Sequence, residues 1–169
     1  VILRYFNPIG AHESGLIGEE PVGIPNNLMP YLLKVASKEI YELIIFGDDY
    51  RTKDGTGVRD FIHVTDLAIA HISSLNLLAS EKLKKTEVYK INIGTGIGYS
   101  VFELVNAFKK YNNVSIPYRI SKRRPGDSAE SFADPSYAKE VIGWTANKNL
   151  KDMCQDSWRW EKNRLKKKS

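Results

Sequence analysis

Six polar residues hold most of the chemistry that this sequence can do. Asn7, Asn26, Asn27, Arg59, Arg124 and Asp127 fall where hydrophobic runs stop or in the loops between them, the positions at which binding side chains concentrate. A guanidinium grips phosphate oxygens through paired, charge-assisted hydrogen bonds, and carboxamides and a carboxylate suit the rest of a polar ligand. The residue types therefore point to a phosphorylated small molecule. Taken one at a time, each could equally serve as a helix cap or a surface ion pair.

Other patterns invite chemistry and do not sustain it. Gly94-Thr95-Gly96-Ile97-Gly98 follows a strand-like run and precedes a helix-like one, where a dinucleotide-binding loop would lie. The Gly-x-Gly-x-x-Gly pattern needs glycine where Tyr99 stands, and no acidic residue follows about 20 positions later to bind a ribose. A tight strand-to-helix turn with Ser100 as N-cap is expected instead. Tyr118 and Lys122 match Tyr-x-x-x-Lys, in which an ammonium tunes a phenol. That pairing needs helical spacing, which brings such residues to ~6 Å. This segment reads as extended, which separates them by ~13 Å. His12, His63 and His71 have neither His-x-x-x-His spacing nor a cysteine partner. Each is expected to be a hydrogen-bonded structural histidine, and no metal site is expected.

Hydrophobic periodicity describes the scaffold. Val1 to Phe6 is a β-branched and aromatic run that reads as a buried strand stopping at Asn7-Pro8. A loop with three glycines spans Ala11 to Gly23, and Pro25-Asn26-Asn27 starts a helix carrying Leu28, Leu32 and Val35 at helical spacing. Leu43 to Phe46 is a strand and Asp48 to Gly57 a polar loop. Arg59 to Val64 is a strand ending at Thr65-Asp66, the expected N-cap of a helix through Ala79. Val88 to Ile93 reads as a strand, Val101 to Lys110 as a helix and Ile116 to Ile120 as extended. Ser136 to Ile142 and Leu150 to Lys162 read as the last helices. Strands alternating with helices imply an α/β fold with a partly parallel sheet. Within it, Val1 to Phe6 has no neighbour that the preceding sequence supplies.

Composition excludes several classes of function. The 169 residues are 42% hydrophobic and 27% charged, enough for a core of ordinary size. No apolar run approaches the ~20 residues of a membrane helix; Ile69 to Ala79 is broken by His71, Ser73, Ser74 and Asn76. The net charge of +5 divides into +4 over residues 161–169 and +1 over the rest. No aromatic follows Trp160, so a nucleic-acid stripe is not expected; a basic tail over 163–169 is, and it reads as disordered. The single cysteine, Cys154, points to a reducing compartment and a cytoplasmic location. The sequon Asn113-Val114-Ser115 then reads as chance. Val1-Ile2-Leu3-Arg4 carries no methionine, basic leader or cleavage site, which suggests a piece of something longer.

Several blocks, in order and spacing, resemble the UDP-glucose 4-epimerase family of extended short-chain dehydrogenases/reductases. They are Arg4-Tyr5-Phe6-Asn7-Pro8, Gly23-Ile24-Pro25-Asn26-Asn27-Leu28-Met29-Pro30, Phe46-Gly47-Asp48-Asp49-Tyr50, residues 54–64, Asn92-Ile93-Gly94-Thr95-Gly96 and Arg123-Arg124-Pro125-Gly126-Asp127. The resemblance extends to about Lys162. It implies the C-terminal part of a Rossmann-like enzyme: one or two late strands of the parallel sheet plus the small α/β domain, over 1–162, that holds a UDP-sugar. It implies interconversion of UDP-glucose and UDP-galactose through an NAD-bound 4-keto sugar, in a homodimer. The glycine-rich NAD loop and the catalytic tyrosine and lysine would belong to an N-terminal half outside this sequence. The chain alone is therefore expected to be inactive, with no catalytic residue of its own.

Position by position, the resemblance makes Tyr5 the residue beside NAD and Asn7 the amide at the sugar diphosphate. Asn27 and Leu28 match substrate contacts at a helix start, where backbone amides also meet phosphate. Ile44, Ile45 and Phe46 match the strand that brackets uracil, Arg59 and Arg124 the diphosphate arginines, and Asp127 the ribose carboxylate. Ser131 occupies the family's size gate, and so small a residue implies that N-acetylhexosamine substrates pass as well. Pro125 departs from the family's usual glutamate. Two other readings remain open: a non-catalytic UDP-sugar-binding module or remnant, and a nucleotide-sugar dehydratase or decarboxylase of the same architecture.

Overall fold

Strand β1 (Ile2–Tyr5) runs directly into β2 (Asn7–Ile9), yet the two join different sheets. The structure, a computed structural model, describes residues 1–23, 25, 27–80 and 87–168. Strand β3 is Leu43–Phe46, β4 Val58–His63, β5 Lys90–Ile93, β6 Gly98–Ser100, β7 Tyr118–Ser121 and β8 Glu130–Ser131. β1 pairs in parallel with β5, Ile2 opposite Lys90 and Tyr5 opposite Ile93. β2 pairs in parallel with β4, Asn7 opposite Phe61. The strand expected over Val1 to Phe6 is β1, largely exposed rather than buried, and after it the chain changes partner at Phe6, whose N–H still reaches the Ile93 carbonyl at 3.3 Å. Asn7 and Pro8 do not terminate a strand but begin one. The first strand also has a partner after all, because the chain returns β5 beside it. Its other edge carries no ladder among the described residues.

β4 organises the larger sheet. Its first half is flanked by β6, antiparallel, on one edge and by β8, parallel, on the other. β2 then follows β8 along that second edge, beside Phe61 to His63. β3 and β7 form a separate parallel pair. The alternation of elements gives the α/β fold with parallel pairings that the periodicity implied.

Among the described residues five helices cover these strands: α1 (Leu28–Ala36), α2 (Val64–Ala79), α3 (Val101–Asn112), α4 (Ser136–Ile142) and α5 (Leu150–Lys168). Ser100 caps α3 as expected and forms a full capping box with Glu103. Asn113 of the sequon is the left-handed C-cap of that helix, with φ 53°. α2 departs from expectation. Thr65-Asp66 lies inside the helix, and the His63 ring supplies the cap by accepting from the Thr65 N–H at 3.1 Å. α5 starts at a reciprocal Asn149–Asp152 cap, with bonds of 3.0 and 3.1 Å. It continues through Lys168, so the expected disordered tail over 163–169 is helical as far as 168.

Adjacent residues of β4 feed two cores, since successive side chains of a strand face opposite ways. Phe61 packs with Leu32, Leu43, Ile45, Leu104, Phe108 and Met153 between the strands and helices α1, α3 and α5. Ile62 packs with Leu67, Ala70, Ile91, Ile93, Ala138 and Trp144 among α2, β5 and α4. Each such side chain contributes about 1.5–3 kcal/mol on burial, so β4 cannot shift without disturbing both. Cys154 is buried in the first core, and desolvation pushes its thiol up to about 12.

Candidate functional site

Arg59 stands at the centre of the polar cluster. Within the sheet it lies opposite Tyr99 of β6 and Ser131 of β8, and directly opposed residues share a face. Phe61 and its partner Asn7 occupy the next position on that face, so register alone gathers Asn7, Arg59 and Ser131. The Arg59 Nη1–H donates to its neighbour's carbonyl, that of Val58, at 2.8 Å. Its Nη2 lies 3.8 Å from the Asp127 carboxylate, across an ion pair that keeps both side chains partly open to solvent. Asp127 donates its N–H to the Arg124 carbonyl at 3.4 Å, closing a turn that Gly126 permits with φ +84°. The Arg124 guanidinium lies 4.0 Å over the Phe46 ring at the end of β3. Arg59, Asp127, Arg124 and Phe46 are thereby one connected chain of contacts.

The side chains of β3 divide by face. Leu43 and Ile45 are buried in the core, whereas Ile44 and Phe46 are half-buried. The Ile45 side chain is therefore unavailable to a ligand, and only its backbone could serve one. β7 ladders one edge of β3; the other edge has no ladder among the described residues. Beyond β3, an open cavity of about 560 Å³ is lined by Gly47, Asp49, Ile120, Lys122 and Arg123. Arg123 closes its wall: Nε donates to the Asp49 carboxylate at 2.6 Å, and the guanidinium stacks 4.2 Å over Tyr50. That hydrogen bond holds the Asp49 carboxyl below its usual range. Hydrogen bonds among Thr52, Asp54, Thr56 and Ser100 tie the following loop together. Burial alone would raise the Asp54 carboxyl, but bonds from Ser100 and Thr56 outweigh it and pull it down.

Asn27 is exposed at the N-cap of α1 and makes no side-chain cap bond, so its carboxamide is available to a ligand. Leu28, half-buried, opens the helix. Asn26 lies outside the described residues. Tyr5, half exposed, ends β1 with its hydroxyl 2.6 Å from His71 Nε2. All three histidines make hydrogen bonds, His12 to Ser14, His63 to Thr65 and His71 to Tyr5 and Leu67. Tyr118 is in strand β7, four residues from Lys122 along extended backbone.

The glycine loop after β5 has its amides already committed. The Thr95 and Gly96 N–H groups both donate to the carboxylate of Asp60, each at 2.9 Å. A cradle for pyrophosphate needs free amides facing the anion, and here a buried carboxylate occupies that role. This loop therefore does not fit the phosphates of a dinucleotide.

Asp60 was not among the residues singled out by sequence. It is fully buried and also accepts from the Thr95 hydroxyl at 2.6 Å and the Ala133 N–H at 3.2 Å. It thereby ties the glycine loop and the segment after β8 to the strand that carries Arg59. Its only sequence signal was adjacency to Arg59. Tyr99, opposite Arg59, was likewise read only as the residue that spoils a glycine motif. Desolvation, reinforced by Glu103 and Asp60, raises its phenol above the usual value.

Among known proteins, the model of a family described as GDP-mannose 4,6 dehydratase matches residues 1–157. A UDP-glucose 4-epimerase of Bacillus subtilis is 56% identical over 160 residues, covering 95% of this chain and 46% of that protein. Two solved structures, each 50% identical to this chain, superpose closely. The epimerase of Stenotrophomonas maltophila, with bound NAD and formylated UDP-arabinopyranose, gives a TM-score of 0.93 over 98% of this chain and 48% of that one. That of Bifidobacterium longum, in complex with NAD+ and UDP, gives 0.90 over 96% and 47%. The chain spans about half the length of the curated relatives it matches.

Proposed function

The chain belongs to the family described as GDP-mannose 4,6 dehydratase, and on that footing we propose that it is the sugar-nucleotide-binding part of a UDP-glucose 4-epimerase. The observation that carries this reading is the linked cluster of Arg59, Asp127, Arg124 and Phe46 beside Asn7 and Ser131. Two arginines linked through Asp127 suit a diphosphate. The Asp127 carboxylate beside Arg59 suits vicinal hydroxyls, and the edge of β3 with no ladder among the described residues would offer backbone groups to a nucleobase.

Within this reading Arg59 and Arg124 hold the diphosphate, and Asp127 holds the ribose and keeps Arg59 aimed. Asn7 contacts the sugar diphosphate, Asn27 and Leu28 contact the substrate at the start of α1, and Ile44 to Phe46 present backbone to the uracil. Ser131 leaves room beside Arg59 for an N-acetyl group. NAD, when bound, would supply the hydride acceptor for the sugar C4. Tyr5, half exposed at the end of β1, is the residue of this chain that would help to hold it. Firm binding of the nucleotide with few contacts to the hexose lets a keto sugar turn over while UDP stays fixed. We further propose a cytoplasmic protein that acts as a homodimer; the lone cysteine, buried with its thiol raised, supports the first part.

Incubation of the full native polypeptide with UDP-glucose tests the reading. UDP-galactose as the only product, without loss of water or carbon dioxide, is expected. A 4-keto-6-deoxy product would reassign the reaction to a dehydratase. The 169-residue chain by itself is expected to leave UDP-glucose unchanged.

A further inference from the structure

Residues 10–23, which follow β2 on the way to Asn27, have no regular structure, and a segment of that kind holds one path only if something else fixes it. One face of α5 does so. The Arg159 guanidinium donates to the Glu13 carbonyl at 2.7 Å, and the Asn163 amide donates to the Gly15 carbonyl at 3.0 Å. The Trp160 indole N–H donates to the Glu19 carbonyl at 3.3 Å. The fit is close as well as bonded. A Cβ on Gly15, whose φ is +66°, would meet Asn163 Nδ2 at 2.6 Å, and one on Gly18 would meet the Trp160 ring at 2.4 Å.

Arg164 extends the same face to α1. Its side chain is buried, and its guanidinium bonds Glu161 at 2.6 and 2.7 Å, Glu20 of the loop at 3.4 Å and Glu39 just beyond α1. α1 is a rigid lever of about 13 Å at 1.5 Å per residue, with Glu39 beyond one end and Asn27 capping the other. Arg164 therefore holds both the loop that leads to Asn27 and the far end of the helix that Asn27 begins. The segment's start is held from α5 too. The His63 ring packs against Gly10, where a Cβ would come within 2.8 Å, and His63 Nε2 lies 3.3 Å from Asp156 of α5.

We propose that Trp160 and Arg164 are positioning residues for sugar-nucleotide binding, clamping the loop at Glu19 and Glu20 and the far end of α1 so that Asn7 and Asn27 meet one ligand. The proposal rests on the UDP-sugar reading above. It separates binding from chemistry: loosening the clamp misplaces contacts that are made equally in the ground and transition states, so KM rises and kcat does not fall.

The test uses the full native polypeptide and three variants. Arg164→Lys keeps the charge but loses the fork that spans three carboxylates; Trp160→Phe keeps a ring but loses the donor; Gly18→Ala drives a methyl into the indole. UDP affinity is measured by calorimetry, and KM and kcat with UDP-glucose. About tenfold weaker UDP binding and higher KM, with kcat within about twofold, is expected. UDP is also expected to restore protection of residues 10–23 from proteolysis. Should Arg164→Lys not fold, Trp160→Phe and Gly18→Ala carry the same test. Wild-type affinity in all folded variants would overturn the clamp alone. A wild type that does not bind UDP would overturn the functional reading and the clamp with it.

Discussion

His71 accepts the hydrogen bond of Tyr5. Its Nε2 lies 2.6 Å from the Tyr5 hydroxyl, while its other ring nitrogen faces the Leu67 carbonyl at 2.8 Å. A carbonyl only accepts, so Nδ1 carries the proton in a neutral ring and Nε2 offers a lone pair. The phenolic proton is thereby turned toward His71, and the hydroxyl's own lone pairs face outward. His71→Phe removes the acceptor and keeps a ring. In the full native polypeptide it is expected to lose NAD several-fold faster on gel filtration, at a stability cost of about 1 kcal/mol or less. Unchanged NAD retention would remove Tyr5 from the cofactor's surroundings.

Asp60 makes a sharper prediction about stability. Its two oxygens accept four hydrogen bonds, from the Thr95 N–H and hydroxyl and the Gly96 and Ala133 N–H groups. Asp60→Asn turns one accepting oxygen into a donor that faces further donors. A loss of about 2–4 kcal/mol is expected in chemical denaturation. An unaltered midpoint would show that these amides find other partners.

Arg59 and Arg124 are expected to act on nucleotide affinity. Lysine at either position keeps a charge but not the two-pronged geometry. UDP binding should weaken about tenfold per substitution, which corresponds to about 1.4 kcal/mol, and calorimetry reads it directly. Affinity that survives both changes would move the diphosphate elsewhere.

Ser131 is expected to set substrate size. It lies directly opposite Arg59 in the β4–β8 ladder, so a large side chain there would intrude on whatever Arg59 holds. Ser131→Tyr should abolish turnover of UDP-N-acetylglucosamine and retain that of UDP-glucose. Equal loss of both would mean that the position supports binding in general.

His63 confers a pH dependence on folding. Burial lowers its imidazole below the ordinary value, against the pull of Asp156. The unfolded chain therefore takes up a proton near pH ~6.5 that the folded one refuses. Stability should fall as pH drops below ~6.5 and level off beneath the lowered folded value; above ~6.5 both states are neutral and this contribution is flat. Denaturation midpoints across pH 5–8, with His63→Gln as reference, check the sign: the variant should lose the acid-side slope, and a slope of the opposite sign in the parent would refute it.

What sequence disclosed and what it hid follows from where each partner lies. Arg59, Arg124 and Asp127, which the fold brings into one cluster, stand out in sequence because guanidinium and carboxylate chemistry depends on side-chain type and on standing near element ends. Asp60 was not, since its donors come from residues 35, 36 and 73 positions away, and nothing local marks a carboxylate as satisfied. Arg164 was hidden for the same reason. In sequence it belongs to a basic run that reads as solvated, and only folding brings Glu39 to it across 125 positions. Helix α4 was legible to the residue because short-range periodicity and Gly143 define it. The change of sheet at Phe6 was not, because strand propensity is blind to which neighbour a strand takes.

That change of sheet makes a molecular spacer of three residues. Tyr5 sits on the strand pair that resembles a cofactor-binding sheet, and Asn7 on the sheet that carries Arg59. Only Phe6 separates them, so their Cα atoms can be no more than about 7 Å apart along extended backbone. Packing between lobes can drift with temperature or sequence change, but a covalent span cannot lengthen. In the proposed enzyme the separation between hydride acceptor and sugar would thus be set by peptide geometry, and the packed interfaces would be left to set orientation.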